Sequence, residues 1–388
     1  MKDVVISEAV KYIGADDKDL DLFESQYIIP NGVSYNSYVI LDEKIAVMDT
    51  IDTRKTDEWK ENLERVLDGR TPDYLVVSHL EPDHAGSIKE FADKYPEAKI
   101  VASAKAIAML PQFFEIADLT DRAVAVKEGE ELSLGSHTLQ FFMAPMVHWP
   151  EVMVEYEKSE KILFSADGFG KFGALDADED WACEARRYYF NIVGKYGAQV
   201  QALLKKAATL DIQTICPLHG PILKEDLGYY IGKYMTWSSC EPEDDGVLVA
   251  YASIHGNTKK AAEKMKEILE AKGAKKVAIT DLSRDDMAEA IEDAFRYDKL
   301  VLAAASYDAS VFPCMETFLN KLTNKNYQNR KIAIIENGSW APTAARVMKS
   351  YVEKMKKITL CEKTVTIKST MKDADVTAMK ELADELLA

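Results

Sequence analysis

Between Ser78 and Ser87 the chain reads SHLEPDHAGS, with two histidines, a glutamate and an aspartate packed into adjacent positions. His79, Glu81 and Asp83 alternate, so an extended chain projects them to similar sides. Asp83 and His84 are neighbours and diverge, which divides the motif between two metal ions a short distance apart. Further donors stand at His148 in PMVHWPE, Asp167 in ILFSAD and His219 in CPLHGPI, each following an apolar strand pattern. Strand ends and the loops after them are where a rigid sheet presents functional groups. Mixed imidazole and carboxylate ligation suits iron or manganese better than the nitrogen-rich set that suits zinc. His137 in SLGSHTLQFF reads as a strand residue outside any metal site.

A second constellation lies downstream. ASIHGNTKKAA follows an apolar strand and opens a helix. Hydroxyls and successive backbone N–H groups at a helix N-terminus wrap a phosphate, and glycine lets the backbone approach. Ser253, Gly256 and Thr258 fit the flavodoxin pattern S/T-x-T-G-x-T, and His255 replaces its middle threonine. Ile254 and Asn257 complete the loop. The next two strands end in ASYDASVFP, with Ser306, Tyr307 and Asp308, and in ENGSWAP, with Asn337, Gly338, Ser339 and Trp340. Tyr307 and Trp340 are placed to flank an isoalloxazine ring. The loop has no second phosphate site, which favours FMN over FAD.

The elements that must position these groups fall into two rhythms. SYNSYVILDEKIAVMDT and EVMVEYEKSEKILFSADGFG each read as strand, turn and strand, with helices expected over 56–67 and 87–94. Paired strands flanked by helices imply an α+β or layered α/β/β/α domain. The acidic stretch SSCEPEDDG breaks the pattern and reads as a linker. After it, the apolar strands GVLVAYAS, KLVLAAAS and KIAIIENG alternate with amphipathic helices, the last running through Lys357, as in a doubly wound parallel sheet. The expected domains are 1–243 and 247–388.

Composition narrows the class. Net charge is −17, which argues against a nucleic-acid binder. No apolar run approaches the ~20 residues that cross a bilayer, and the N-terminus has no signal-peptide pattern. Five scattered cysteines without a C-x-x-C imply a reducing, cytoplasmic compartment and exclude a built-in thiolate iron centre.

The first motif resembles the metallo-β-lactamase superfamily signature H-x-H-x-D-H, with Glu81 where the hydrolases place their second histidine. H-x-E-x-D-H with distant His148, Asp167 and His219 is similar to the flavodiiron protein family, and the resemblance spans both halves of the chain. It implies a metallo-β-lactamase-like αββα sandwich followed by a flavodoxin-like domain. It implies one iron on His79, Glu81 and His148, a second on Asp83, His84 and His219, and Asp167 bridging them. Tyr196, in VGKYGAQV, is the candidate donor to bound oxygen species. The implied activity is reduction of dioxygen to water or nitric oxide to nitrous oxide through FMN. Electrons would come from an external rubredoxin-like protein or a reduced deazaflavin, within a head-to-tail homodimer or a dimer of dimers. Two other readings stand beside it: a metallo-hydrolase with an appended flavodoxin-like domain, and an electron carrier or sensor with a structural metal.

Overall fold

The computed structural model describes residues 4–388. Contacts divide the chain into two units. Residues 1–188 with 198–235 form the first, and 189–197 with 236–388 the second.

The first unit is built on two sheets. One runs, in spatial order, Val10–Tyr12, Tyr38–Ile40, Ala46–Met48, Tyr74–Val77, Lys99–Ser103, Ala123–Val126. The other runs Glu131–Ser133, Thr138–Met143, Met153–Glu157, Ile162–Phe164, Thr214–Cys216. Both expected strand pairs form. Tyr38–Ile40 lies antiparallel to Ala46–Met48, and Met153–Glu157 to Ile162–Phe164. Tyr38, Met48, Val76 and Val101 of the first sheet meet Phe141, Met153 and Phe164 of the second in one apolar core. The helix Thr56–Leu67 covers the other face of the first sheet, burying Trp59, Leu63 and Leu67 at helical spacing.

In the second unit the parallel strands order as Val277–Asp281, Asp244–Ala252, Tyr297–Tyr307, Gln328–Asn337, Lys356–Ile367, so the first strand in sequence lies second in space. That is the flavodoxin-like order, and it leaves a crevice at the carboxyl ends where the winding reverses. Asn257–Ala271 and Asp373–Leu387 pack on one apolar cluster through Ala261, Met265, Leu269, Met379, Leu382 and Leu386. The expected helix through Lys357 stops at Val352, and Lys356–Ile367 is a strand instead. The acidic stretch read as a linker is not simply solvated. Asp244 pairs with Lys276 and Arg296, and Asp245 with Lys275 and Lys299. Residues 189–197 join this unit through Phe190, whose ring stacks on Phe295 at 4.2 Å, and through the Asn191 amide, which donates to Ala288 O.

His137 lies in the turn before the strand Thr138–Met143, not within it. Its backbone N–H and Nδ1 both reach Asp42 Oδ2, at 2.6 and 2.8 Å, which fastens one sheet's turn to the other's. Burial works to lower the His137 pKa, but Asp42 and Glu160 raise it overall. Burial works to raise Asp42, but the His137 bonds hold it down at about 2. A group raised on folding stabilises fully below its unfolded pKa, about 6.5 for histidine, and loses that contribution as pH rises through the folded value. The thermal midpoint is therefore expected to fall as pH climbs above about 6.5, and His137→Gln should flatten that slope. Denaturation scans at a series of pH values check it, and an unchanged slope in the variant would show that the pair contributes nothing.

Candidate metal centre and flavin cleft

His79 emerges at the end of the strand Tyr74–Val77, and Ser78 fixes the exit. Its N–H donates to Asp49 Oδ1 at 2.8 Å, its hydroxyl meets Asp49 Oδ2 at 2.6 Å, and its carbonyl accepts from Met153 N of the facing sheet. Asp49 thus orients the residue before the ligand, holding Ser78 while its own backbone sits at φ 55°. The Ser78 hydroxyl also lies 2.9 Å from Glu155 Oε2. Burial raises Glu155 well above the usual carboxylate range, and the Asp49 charge raises it further, while burial lifts Asp49 to about 6.

The chain does not stay extended through the motif. Glu81 keeps β geometry at the N-cap, Pro82 presets the first helical position, and Pro82–Ala85 makes a single helical turn. His79 and Glu81 therefore point together as alternation requires. Asp83 and His84 do not diverge as an extended strand would make them, because the turn aims both inward beside His219.

Two donor sets result. His79, Glu81, His148 and Asp167 bring ligand atoms within 4.8 Å of one another, and so do Asp83, His84 and His219. In the first set Glu81 Oε2 lies 3.3 Å from His79 Nε2 and 2.9 Å from His148 Nε2. Asp167 Oδ2 lies 3.4 and 3.2 Å from the same two nitrogens. In the second, Asp83 Oδ2 is 3.3 Å from His84 Nε2 and 3.2 Å from His219 Nε2, while Asp167 Oδ1 is 3.3 Å from His84. One oxygen of Asp167 thus faces each set. Metal–ligand bonds of about 2.0–2.2 Å place neighbouring ligand atoms about 3 Å apart, so the spacing fits two ions. The four carboxylate oxygens of Asp83 and Asp167 are buried without a hydrogen bond, a condition that costs heavily unless cations satisfy it. Burial pushes the Asp167 carboxyl upward, but His148 and His84 beside it hold it well below the usual range.

Several supporting residues escaped the sequence reading. Glu151 Oε1 takes His79 Nδ1 at 2.8 Å and also accepts from Leu80 N, which turns the imidazole so that Nε2 faces the site. His219 Nδ1 is aimed the same way by the Ser34 carbonyl at 2.7 Å. The only sequence cue to Glu151 is its place in HWPE, three residues after His148, and a backbone carbonyl leaves no cue at all. Aromatic rings wall the centre. Phe23 and Tyr188 pack on His219, and Trp149 meets His79 edge-on. Besides Tyr35, whose ring also packs on His219, Tyr188 lies against the cluster. Its buried phenol is raised first by desolvation and then by the charges of Asp167, Asp83 and Glu81. Tyr196 is not brought there by its own unit. It falls in the 189–197 segment of the second unit, with Lys195 Nζ over its ring.

The second unit carries a cleft of about 610 Å3 at the carboxyl ends of its strands, within the size range of cofactor sites. Ser253, Ile254, His255, Asn257 and Thr258 line one side. Gly256 shapes that loop at φ 89°, and its N–H donates to Ser253 Oγ. Ser306, Tyr307 and Asp308 line a second side, and Asn337, Gly338, Ser339 and Trp340 a third. The Trp340 side chain is 93% exposed at the rim. Two polar side chains are committed to the protein. Ser306 Oγ accepts from Thr343 N and Ala344 N, capping the helix Ala344–Val352. The Asn337 amide bonds the backbone N–H and carbonyl of Ser369. Ser369 also lines the cleft, on a loop after a strand that the sequence reading did not identify.

Glu151→Ala frees the His79 ring and is expected to weaken metal binding in the first set by about 10–100-fold. Metal titration of the apoprotein followed by calorimetry measures this, and wild-type affinity would remove Glu151 from the site's support.

The comparisons agree with this geometry. The sequence model of the ODP family beta lactamase matches residues 33–220, and that of a flavodoxin domain matches residues 248–366. An uncharacterized protein of Methanocaldococcus jannaschii is 32% identical over 289 residues, covering 72% of each chain. A nitric oxide reductase of Moorella thermoacetica is 26% identical over 395 residues, covering 99% of this chain and 98% of that one. The solved structure of rubredoxin oxygen:oxidoreductase from Desulfovibrio gigas superposes with a TM-score of 0.92 at 25% identity, covering 99% of this chain and 97% of the other. With its two domain types in this order and its likeness running along nearly the whole chain, the protein belongs to the flavodiiron protein family.

Proposed function

We propose that the protein reduces dioxygen to water, nitric oxide to nitrous oxide, or both, at a di-iron centre fed with electrons through FMN. The observation that carries this reading is the buried Asp167 carboxylate, whose two unbonded oxygens face two separate donor sets. His79, Glu81 and His148 would hold one iron, Asp83, His84 and His219 the other, and Asp167 both. When bound, the irons supply a redox pair that can take the diatomic gas between them, and FMN supplies electrons in single steps.

The chain's own groups do the rest. Glu151 and the Ser34 carbonyl hold His79 and His219 with Nε2 turned inward. The rings of Phe23, Trp149 and Tyr188 pack on the ligand histidines and limit water around them. In the cleft, the loop 253–258 presents backbone N–H groups and the Thr258 hydroxyl to the flavin phosphate, at the N-terminus of Asn257–Ala271. Tyr307 and Trp340, which line the cleft, would flank its ring. This divides the work between domains 1–243 and 247–388. Two relatives bear matching names, a nitric oxide reductase and a rubredoxin oxygen:oxidoreductase.

The donor in this reading is external, a rubredoxin-like protein or a reduced deazaflavin, and the working form is a cytoplasmic head-to-tail homodimer or a dimer of dimers. No described helix is long and apolar enough to cross a membrane.

The test is anaerobic stopped-flow on reduced protein of known iron and FMN content, mixed in turn with dioxygen and nitric oxide. Rapid FMN reoxidation by a gas assigns it as substrate, and Asp167→Asn should slow that step by at least about 100-fold. Slow reoxidation by both gases, with zinc in place of iron, would overturn the proposal in favour of a hydrolase.

A further inference from the structure

The first unit contains an apolar cavity of about 30 Å3 that the metal centre and the flavin cleft leave unused. Its walls include Val154 and Leu163 from the second sheet, Val200 and Leu204 from the helix Gly197–Ala207, and Val147 and Phe169 from loops. Size alone does not keep water out, since a cavity of roughly 10–15 Å3 can hold one molecule. Chemistry does. A buried water needs two to four polar partners, and the polar groups of this wall are already engaged. Ser165 Oγ donates to Gly168 O at 2.6 Å. The Tyr234 hydroxyl accepts from Phe169 N at 2.6 Å. Lys206 lends only its stem, because its amine is drawn to Glu128 and to the Met143 carbonyl. A dry cavity of this kind takes small apolar species such as xenon.

The position is as telling as the lining. Val147 and Gly168, both wall residues, directly adjoin His148 and Asp167 in the chain. Phe169 and Tyr234 pack ring on ring at 4.3 Å, and the Asp167 charge reaches the Tyr234 phenol. The cavity therefore lies against the back of the loops that present two of the metal-centre donors.

We propose that this cavity binds small apolar gases and supplies the metal centre with its diatomic substrate; the supply role rests on the gas-reducing function proposed above. Dioxygen and nitric oxide are small and weakly polar. Transfer from water into an apolar pocket favours them over water itself, so the cavity raises their concentration beside the centre. Two variants fill it from successive turns of the helix Gly197–Ala207, Leu204→Phe and Ala207→Leu, and either suffices should the other fail to fold.

The experiment pairs crystals of the holoprotein pressurised with xenon and steady-state kinetics against dioxygen and nitric oxide. Xenon is expected between Val154, Leu163 and Leu204 in the wild type and absent in the filled variants. The variants should show a rise of at least about threefold in KM for the gas, with kcat at saturating gas and the rate of anaerobic FMN reduction unchanged. Ordered water in the cavity, or no xenon there, overturns the binding site. Xenon bound in the wild type with unchanged KM in the filled variants overturns the supply role. A holoprotein that binds xenon but consumes no gas removes the proposed function and the supply role, and leaves the gas-binding site standing.

Discussion

Asp83 and Asp167 place four carboxylate oxygens inside the protein with no hydrogen-bond donor to meet them. An ionised carboxylate buried that way is among the costliest arrangements a fold can hold, unless positive charge is brought to it. Much of the first unit answers that demand. The imidazoles stand about 3 Å away, the far nitrogens of His79 and His219 are taken by Glu151 and the Ser34 carbonyl, and aromatic rings pack behind them. The two-sheet core matters because it fixes the strand ends, and the strand ends fix the donors.

The same economy of buried charge explains the Asp49, Ser78 and Glu155 cluster. One serine hydroxyl meets both acids, and that contact ties the exit of His79 to the facing sheet.

How much of this was legible in the sequence depended on the range of the interaction. His79, His148, Asp167 and His219 could be read as candidates because each follows an apolar strand pattern, and strand pairs such as 38–48 are local. The helical turn at Pro82–Ala85 was misread as extended, although Pro82 after Glu81 is a start signal, and so the partnership of Asp83 with His84 was misjudged. Glu151, Tyr188 and Ser34 act through contacts between distant segments, and periodicity carries no trace of those. Downstream, the strand Lys356–Ile367 was hidden by lysines that resemble a helix end, and Ser369 was lost with it.

The loops of the flavin cleft are tied to the protein itself. Asn337 is clasped to Ser369, and Ser306 is spent on the helix that follows. Such loops complete their ordering when the chain folds, so an arriving cofactor has little left to organise. In kinetic terms, loops ordered in advance favour association in a single concentration-dependent step, and differences in affinity then fall mostly on the rate at which the flavin leaves.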